Sequence, residues 1–306
     1  YEEFFEWIYG GGPTALQQVK EQSDTLAHQF SERQLELEIP TSLADSYQQI
    51  DDTKFADILR RRCIAVVKST YFIERWEQGL IFQDREQIPE CYFFTGEEVL
   101  AKWRHYGNAF LIVISYGWLS KKHPDPESFH LKRLVYVLEQ LRHFMSRCCG
   151  YEGDEGCRFR PPEDFGVILD FCSLWQNKSI VENEDSRTKE QQYEFKEGLS
   201  CINTPYAHRD VTAIKLMLTP PKEDRKYDDR GWTLFESKLI DGKAKARISA
   251  DWQWLPQLNV LSIETEINES IRYNRFIWHE LRKTRNPPMI PSRFDEEMQL
   301  RKRRAD

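Results

Sequence analysis

The chain has 306 residues, a formal net charge of −7 and a pI of about 5.7. Hydrophobic residues make up 40% and charged residues 30%, which favours one or two folded domains and argues against disorder. The acidic balance predicts no nucleic-acid partner, since phosphate-binding surfaces carry a basic excess. No apolar stretch approaches about 18 residues, so no membrane span is predicted.

The seven cysteines are odd in number and irregular in spacing. This pattern is unlike a secreted disulfide scaffold and predicts reduced thiols in the cytoplasm or another reducing compartment. Cys148, Cys149 and Cys157 lie near His143, but no CxxC pair occurs, so we expect neither a metal nor a cofactor. Because the sequence begins with Tyr1 rather than methionine, it gives no information on a targeting peptide.

Residues 1–107 are predicted to be mostly helical. Helical patterns cover residues 14–37 and 42–76, and the capping-box spacing of Thr95 and Glu98 predicts a short helix through Trp103. We expect the aromatic residues here to pack the region onto its neighbour, the alternative being an exposed partner surface. These aromatic residues are Phe4, Phe5, Trp7, Tyr71, Phe72, Trp76, Tyr92, Phe93, Phe94 and Trp103.

From residue 108 onward, apolar runs that suit buried strands alternate with amphipathic helical patterns. The predicted strands are 109–116, 165–171, 211–218, 246–249 and 258–263. The predicted helices are 127–147, 188–202, 231–240 and 264–283.

This alternation predicts an α/β fold: a flavodoxin-like parallel sheet flanked by helices. We therefore divide the chain into a helical region (1–107), an α/β domain (108–262) and a C-terminal helix and tail (263–306). Ligands of such sheets bind outside the carboxyl ends of the strands. The stretches predicted to meet at that edge are 115–120, 170–176 and 219–236.

Trp232 and Glu236 are four residues apart, so a helix places them on one face at this edge. An indole can stack on a flat cationic ring, and a carboxylate can stabilise the positive charge that develops on a ribose carbon during glycosidic cleavage. Spacing alone favours a simpler interpretation, in which Trp232 is a core residue and Glu236 is a surface residue or pairs with a nearby arginine. Cys172 and His208 are a second, weaker candidate for a Cys–His nucleophile. The alternative is that Cys172 is a buried structural thiol.

Three segments of the α/β domain resemble the Toll/interleukin receptor (TIR) superfamily. They are 110–116 (FLIVISY), 165–176 (FGVILDFCSLWQ) and 227–236 (YDDRGWTLFE), and they occur in the family's order. The patterns at 123–126 (HPDP) and 230–232 (RGW) are similar to a divergent TIR-like group of protists and algae.

The resemblance implies a TIR-like fold and, in the members that cleave NAD, a catalytic glutamate at the position of Glu236. The resemblance matches Trp232 and Tyr116 to residues of the nicotinamide pocket. Trp232, with Tyr116 or Trp118, would then hold the nicotinamide end, and Asp170 would lie near the phosphates or act structurally. Ser115 is the remaining predicted substrate-binding residue. NAD would then be the substrate, and self-association would complete the enzyme. NAD-cleaving animal domains carry arginine after the tyrosine, where this chain has Gly117.

Three hypotheses follow for the function. The first is an NAD nucleosidase that cleaves the nicotinamide–ribose bond through Glu236. The second is a catalytically silent TIR-like scaffold, or an accessory subunit of a larger protein assembly. The third keeps the pocket at the sheet edge for another nucleotide or nucleoside, without turnover.

Overall fold

The computed structural model describes residues 50–51, 53–148, 161–179, 184–246 and 258–267, with residues 276, 277, 279, 280, 283 and 285. No helix within these residues is long and apolar enough to cross a bilayer. The predictions of a helix at 14–37 and of a strand at 246–249 lie wholly or mostly outside them, as do most of helix 264–283 and the Cys149 and Cys157 side chains.

A five-stranded sheet in the order β1-β3-β2-β4-β5 forms the centre of the described fold. Its strands are β1 (Val67–Lys68), β2 (Leu111–Tyr116), β3 (Gly166–Ile168), β4 (Thr212–Leu216) and β5 (Val260–Ile263). All neighbours pair in parallel except β1, which runs antiparallel to β3. Without β1, the order of the parallel strands matches the start of the flavodoxin-like arrangement, whose switch point lies between its first and third strands. That point is the β2–β4 pair.

Helices cover both faces of the sheet, as predicted for an α/β fold. They are α1 (Lys54–Arg60), α2 (Ser69–Glu77), α3 (Gly96–Tyr106), α4 (Phe129–Cys148), α5 (Asp170–Ser173), α6 (Lys189–Cys201), α7 (Thr204–Ala207) and α8 (Gly231–Gly242). The capping box predicted for α3 is present: Thr95 accepts from the backbone N–H of Glu98, whose carboxylate accepts from the backbone N–H of Thr95.

Alternate residues of β2 face two apolar layers. Ile112 and Ile114 pack with α2 and α4 on one face. Leu111 and Val113 pack with α1, α3, α6 and α8 on the other. Ser115 continues the second row at the carboxyl end of the strand, where an apolar residue would otherwise stand.

The described part of residues 1–107 packs directly on this sheet. The rings of Phe94 and Phe110 lie 5.3 Å apart, and those of Phe55 and Trp103 lie 5.6 Å apart. This confirms the packing role expected of the aromatic residues there, although 38% of Trp76 is exposed. The region also supplies the edge strand β1.

Two predicted elements differ from the structure. The pattern at 42–76 is not one helix, because α1 stops at Arg60, Arg62 adopts a φ of 60°, and the chain enters β1 before α2 begins. The strand predicted at 165–171 ends at Ile168, and Asp170 begins the single helical turn α5.

Gly96 lies where α3 approaches the end of α1. A Cβ atom at this position would meet the Arg60 carbonyl and lie within 2.6 Å of the Arg60 Cα atom. Because these are backbone atoms, Gly96→Ala is expected to lower the free energy of unfolding by about 1–3 kcal/mol. Gly242→Ala is the matched control, since its Cβ would have nothing within 4 Å. Urea unfolding of both variants checks this, and equal stabilities would contradict the close approach.

Candidate functional site

Glu236 lies in the second turn of α8, under the switch point of the sheet. Only 3% of the residue is exposed, and its carboxyl group points at the end of β2. Ser115 Oγ, itself fully buried, donates a hydrogen bond to Glu236 Oε2. The idea that Glu236 is a surface residue or pairs with an arginine is therefore wrong: within the described residues its partners are uncharged.

Two tyrosine hydroxyls and one indole complete the surroundings of this carboxyl group. The Tyr227 hydroxyl lies 2.5 Å from Ser115 Oγ. Tyr206, from the short helix α7, and Trp232, one turn before Glu236, both hydrogen-bond to the Glu236 carboxyl group. Both tyrosines are buried, whereas Trp232 is half-buried. We call Glu236, Ser115, Tyr206, Tyr227 and Trp232 the Glu236 cluster.

Burial dominates the electrostatics of the Glu236 cluster. The pKa of Glu236 is raised to about 8: burial is the largest cause and the negative charge of Asp170 adds to it, while hydrogen bonds from Ser115, Tyr206 and Trp232 oppose the increase. Burial, followed by the nearby Glu236 charge, also raises the pKa values of Tyr206 and Tyr227. At neutral pH the carboxyl group is therefore mainly protonated in the free protein.

The other predicted site residues form a second group on the opposite face of β2. Tyr116 donates to Asp170 Oδ1 over 2.6 Å, and the Trp118 indole N–H donates to Asp170 Oδ2 over 3.1 Å. The backbone N–H of Phe171 also donates to Asp170. Burial raises the pKa of Asp170, and these three hydrogen bonds oppose it. Both Asp170 and Trp118 remain partly exposed.

The structure thus places all six predicted residues at the carboxyl edge, in two adjoining groups. Ser115 and Trp232 join Glu236, whereas Tyr116 and Trp118 bind Asp170. Tyr206 and Tyr227 were not among the predicted site residues. Tyr227 is the first residue of the segment YDDRGWTLFE, so the sequence could have identified it. No pattern in the sequence connects Tyr206 with Glu236.

Arg230 lies above the boundary between the two groups. Its Nη1 atom donates to the Trp118 carbonyl over 2.5 Å, and its Nη2 atom lies 3.1 Å from Glu223 Oε1. A Cβ atom added to Gly117 would lie 3.0 Å from Arg230 Nε. Glycine at 117 therefore leaves the space that the guanidinium group occupies.

A buried ion pair adjoins the Glu236 cluster. Lys215 is the cross-strand partner of Ser115, and its Nζ atom lies 2.7 Å from Asp241 Oδ1 on α8. Nζ also donates to Ser237 Oγ over 3.4 Å. The surface between the sheet and α8 is therefore polar at its carboxyl end, where packing alone would favour apolar residues.

The Cys–His pairing considered for Cys172 and His208 does not form. Cys172 is buried, and its thiol donates to the Gln83 carbonyl over 3.2 Å. His208 instead packs against Trp103 in a tilted arrangement, with ring centroids 4.8 Å apart, and accepts from the backbone N–H of Asp210. Cys172 thus has the contacts of a structural thiol. Among the described residues, no cluster of histidine, cysteine or acidic side chains has metal-binding geometry.

The fold and site define the chain as an α/β protein with a buried carboxyl group at the switch point of its parallel sheet. Comparison of the chain with protein-family models, with curated proteins and with solved structures finds no match.

Proposed function

We propose that the protein cleaves the N-glycosidic bond of NAD or a related nucleotide, with Glu236 as the catalytic residue. The supporting observation is a carboxyl group that is 3% exposed, has a raised pKa and lies at the ligand-binding edge of a parallel sheet. Buried titratable groups with shifted pKa values at such edges are typical of functional sites. The TIR-like resemblance points to the same residue.

In the proposed reaction, ionised Glu236 stabilises the positive charge on the ribose carbon as its bond to nicotinamide breaks. The bonding electron pair leaves with the nicotinamide nitrogen, which becomes neutral. A water molecule then adds to the ribose carbon and loses a proton. Trp232 is half-buried beside Glu236 and would stack on the cationic ring.

The second group would bind the rest of the substrate. Asp170 and Trp118 are partly exposed, and Tyr116 connects them to the strand that carries Ser115. Arg230 places a guanidinium group over Gly117. Gly117 is the position at which NAD-cleaving animal TIR domains carry arginine. Self-association and a reducing compartment such as the cytoplasm are further parts of this proposal, and the reaction as written needs no cofactor.

One observation favours the alternative, a catalytically silent scaffold or an accessory subunit. Glu236 is buried with its hydrogen bonds made inside the protein, and Arg230 ties the start of α8 to the Trp118 carbonyl. The enzyme therefore requires the structure around Glu236 to open before a substrate reaches the carboxyl group. A scaffold requires no opening.

Release of nicotinamide from NAD by the purified chain, over a range of protein concentrations, tests the proposal. We expect turnover that rises with concentration and falls at least about 100-fold in Glu236→Gln, because a neutral amide cannot stabilise the ribosyl cation. Glu190→Gln, an exposed glutamate of α6, is the matched control and should retain full activity. Absence of turnover at every concentration refutes the enzyme. NAD binding measured by calorimetry then separates a nucleotide-binding protein from a scaffold.

A further inference from the structure

The Tyr206 hydroxyl has two acceptors within reach but a single proton to donate. It donates to the Ile114 carbonyl over 3.0 Å, and it also contacts the Glu236 carboxyl group. When Glu236 is protonated, the carboxyl group can donate to the Tyr206 oxygen while Tyr206 keeps its bond to Ile114. When Glu236 ionises, the hydroxyl can turn and donate to the carboxylate.

Tyr227 acts one step further away. When Glu236 is ionised, Ser115 uses its only proton in the hydrogen bond to Glu236 Oε2, so Tyr227 must be the donor in the 2.5 Å contact between Ser115 and Tyr227. Tyr227 is 1% exposed, and Thr233 donates to its backbone carbonyl, which fixes the tyrosine at the start of α8. Tyr227 thereby orients the Ser115 hydroxyl toward Glu236.

We propose that Tyr206 and Tyr227 are positioning residues that stabilise the ionised form of Glu236, Tyr206 directly and Tyr227 through Ser115. The inference rests on the proposed function, because ionised Glu236 is the form that carries the reaction. It assigns a role to two residues that the sequence did not connect with the site.

The charged groups around Glu236 do not supply this stabilisation. Asp170, from the end of β3, disfavours the ionised form by its own negative charge. Lys215, from β4, lies 2.7 Å from Asp241, and the ion pair balances its positive charge. On α8 itself, Trp232 donates from the preceding turn. Within the described residues, Tyr206, Ser115 and Trp232 thus supply the donors that oppose burial, with Tyr227 behind Ser115.

The test compares Tyr206→Phe and Tyr227→Phe with Tyr193→Phe, whose tyrosine is 57% exposed and serves as the control. Each variant is assayed for nicotinamide release across the pH range, and the midpoint of the rise in kcat/KM with pH is determined. Losing a donor to a charged acceptor is expected to move this midpoint upward by about one pH unit in Tyr206→Phe. Tyr227→Phe, which acts through Ser115, is expected to move it in the same direction by less. A merely structural role would lower the rate at all pH values and leave the midpoint in place, which would overturn the inference.

A second readout separates this inference from the proposed function. The pKa of Glu236 is measured by carbon NMR of labelled glutamate carboxyl groups, with Glu236→Gln used to assign the signal. An increase in both Phe variants supports the positioning role even without turnover, in which case only the enzyme proposal fails. An unchanged pKa overturns the positioning role whatever the activity. Should Tyr227→Phe fail to fold, Ser115→Ala removes the hydroxyl through which Tyr227 acts and must raise the same pKa.

Discussion

Lys215→Met is expected to lower the free energy of unfolding by about 3–5 kcal/mol, since breaking a buried ion pair leaves one charge without its partner. The side chains of Lys215 and Asp241 are only 4% and 2% exposed, and their charged atoms lie 2.7 Å apart. Once Lys215 is removed, Asp241 must either stay charged in a buried environment or bind a proton, and both cost free energy.

The partner substitution tests this explanation. The double variant Lys215→Met with Asp241→Leu removes both charges of this pair, so most of the lost stability should return. Arg60→Met is the control, because Arg60 and Glu97 form an ion pair whose side chains are 42% and 72% exposed. Exposed pairs of this kind contribute about 0–1 kcal/mol. Equal losses in Lys215→Met and Arg60→Met, measured by urea unfolding, would contradict the prediction.

The sequence predicted the parallel strands of the sheet because these buried strands are continuous apolar runs. The run Ala109–Tyr116 contains β2, and the runs at 211–218 and 258–263 contain β4 and β5. Parallel strands are covered on both faces, so their sequences lack the polar alternation that would blur such runs. Helix starts were also readable where a capping box fixed them, as at Thr95.

The edge strand β1 could not be predicted, because the apolar residues in and before it have the spacing of a helix. Leu59, Cys63, Val66 and Val67 have helical spacing, but the chain leaves the helix at Arg62, whose φ is 60°. A non-glycine residue rarely adopts this conformation, and nothing in the local sequence marks it. A strand of two residues is also too short to show a period.

The candidate site was predictable in part. The sequence placed Ser115, Asp170 and Glu236 at one edge, because the carboxyl ends of parallel strands meet there. It did not predict that Glu236 and Asp170 would lie on opposite faces of the sheet. Glu236 bonds to Ser115 and Asp170 to Tyr116, which are adjacent on β2. The sequence also left the burial of Glu236 open, because a glutamate is rarely buried unless other side chains satisfy it. The long-range approach of Tyr206 supplies one of those side chains.

The second large effect concerns the pH dependence of stability. The pKa of Glu236 rises from 4.5 to about 8 on folding. Between these values the folded state binds a proton that the unfolded state has released, so the stabilisation is fully present below pH 4.5 and is lost as the pH approaches 8. Each pKa unit corresponds to about 1.36 kcal/mol, so the change reaches several kcal/mol.

Glu236→Gln is expected to abolish this dependence, because an amide resembles the protonated carboxyl group and does not titrate. The variant should match the wild-type protein at about pH 5 and exceed its free energy of unfolding by several kcal/mol at about pH 9. Urea unfolding at several pH values measures the difference, with Glu190→Gln expected to follow the wild-type protein throughout. If the stability difference between Glu236→Gln and the wild-type protein is the same at all pH values, Glu236 ionises in the folded protein as it does in the unfolded chain. The proposed hydrogen-bond support from Tyr206 and Tyr227 would then have no buried, raised-pKa carboxyl group to act on.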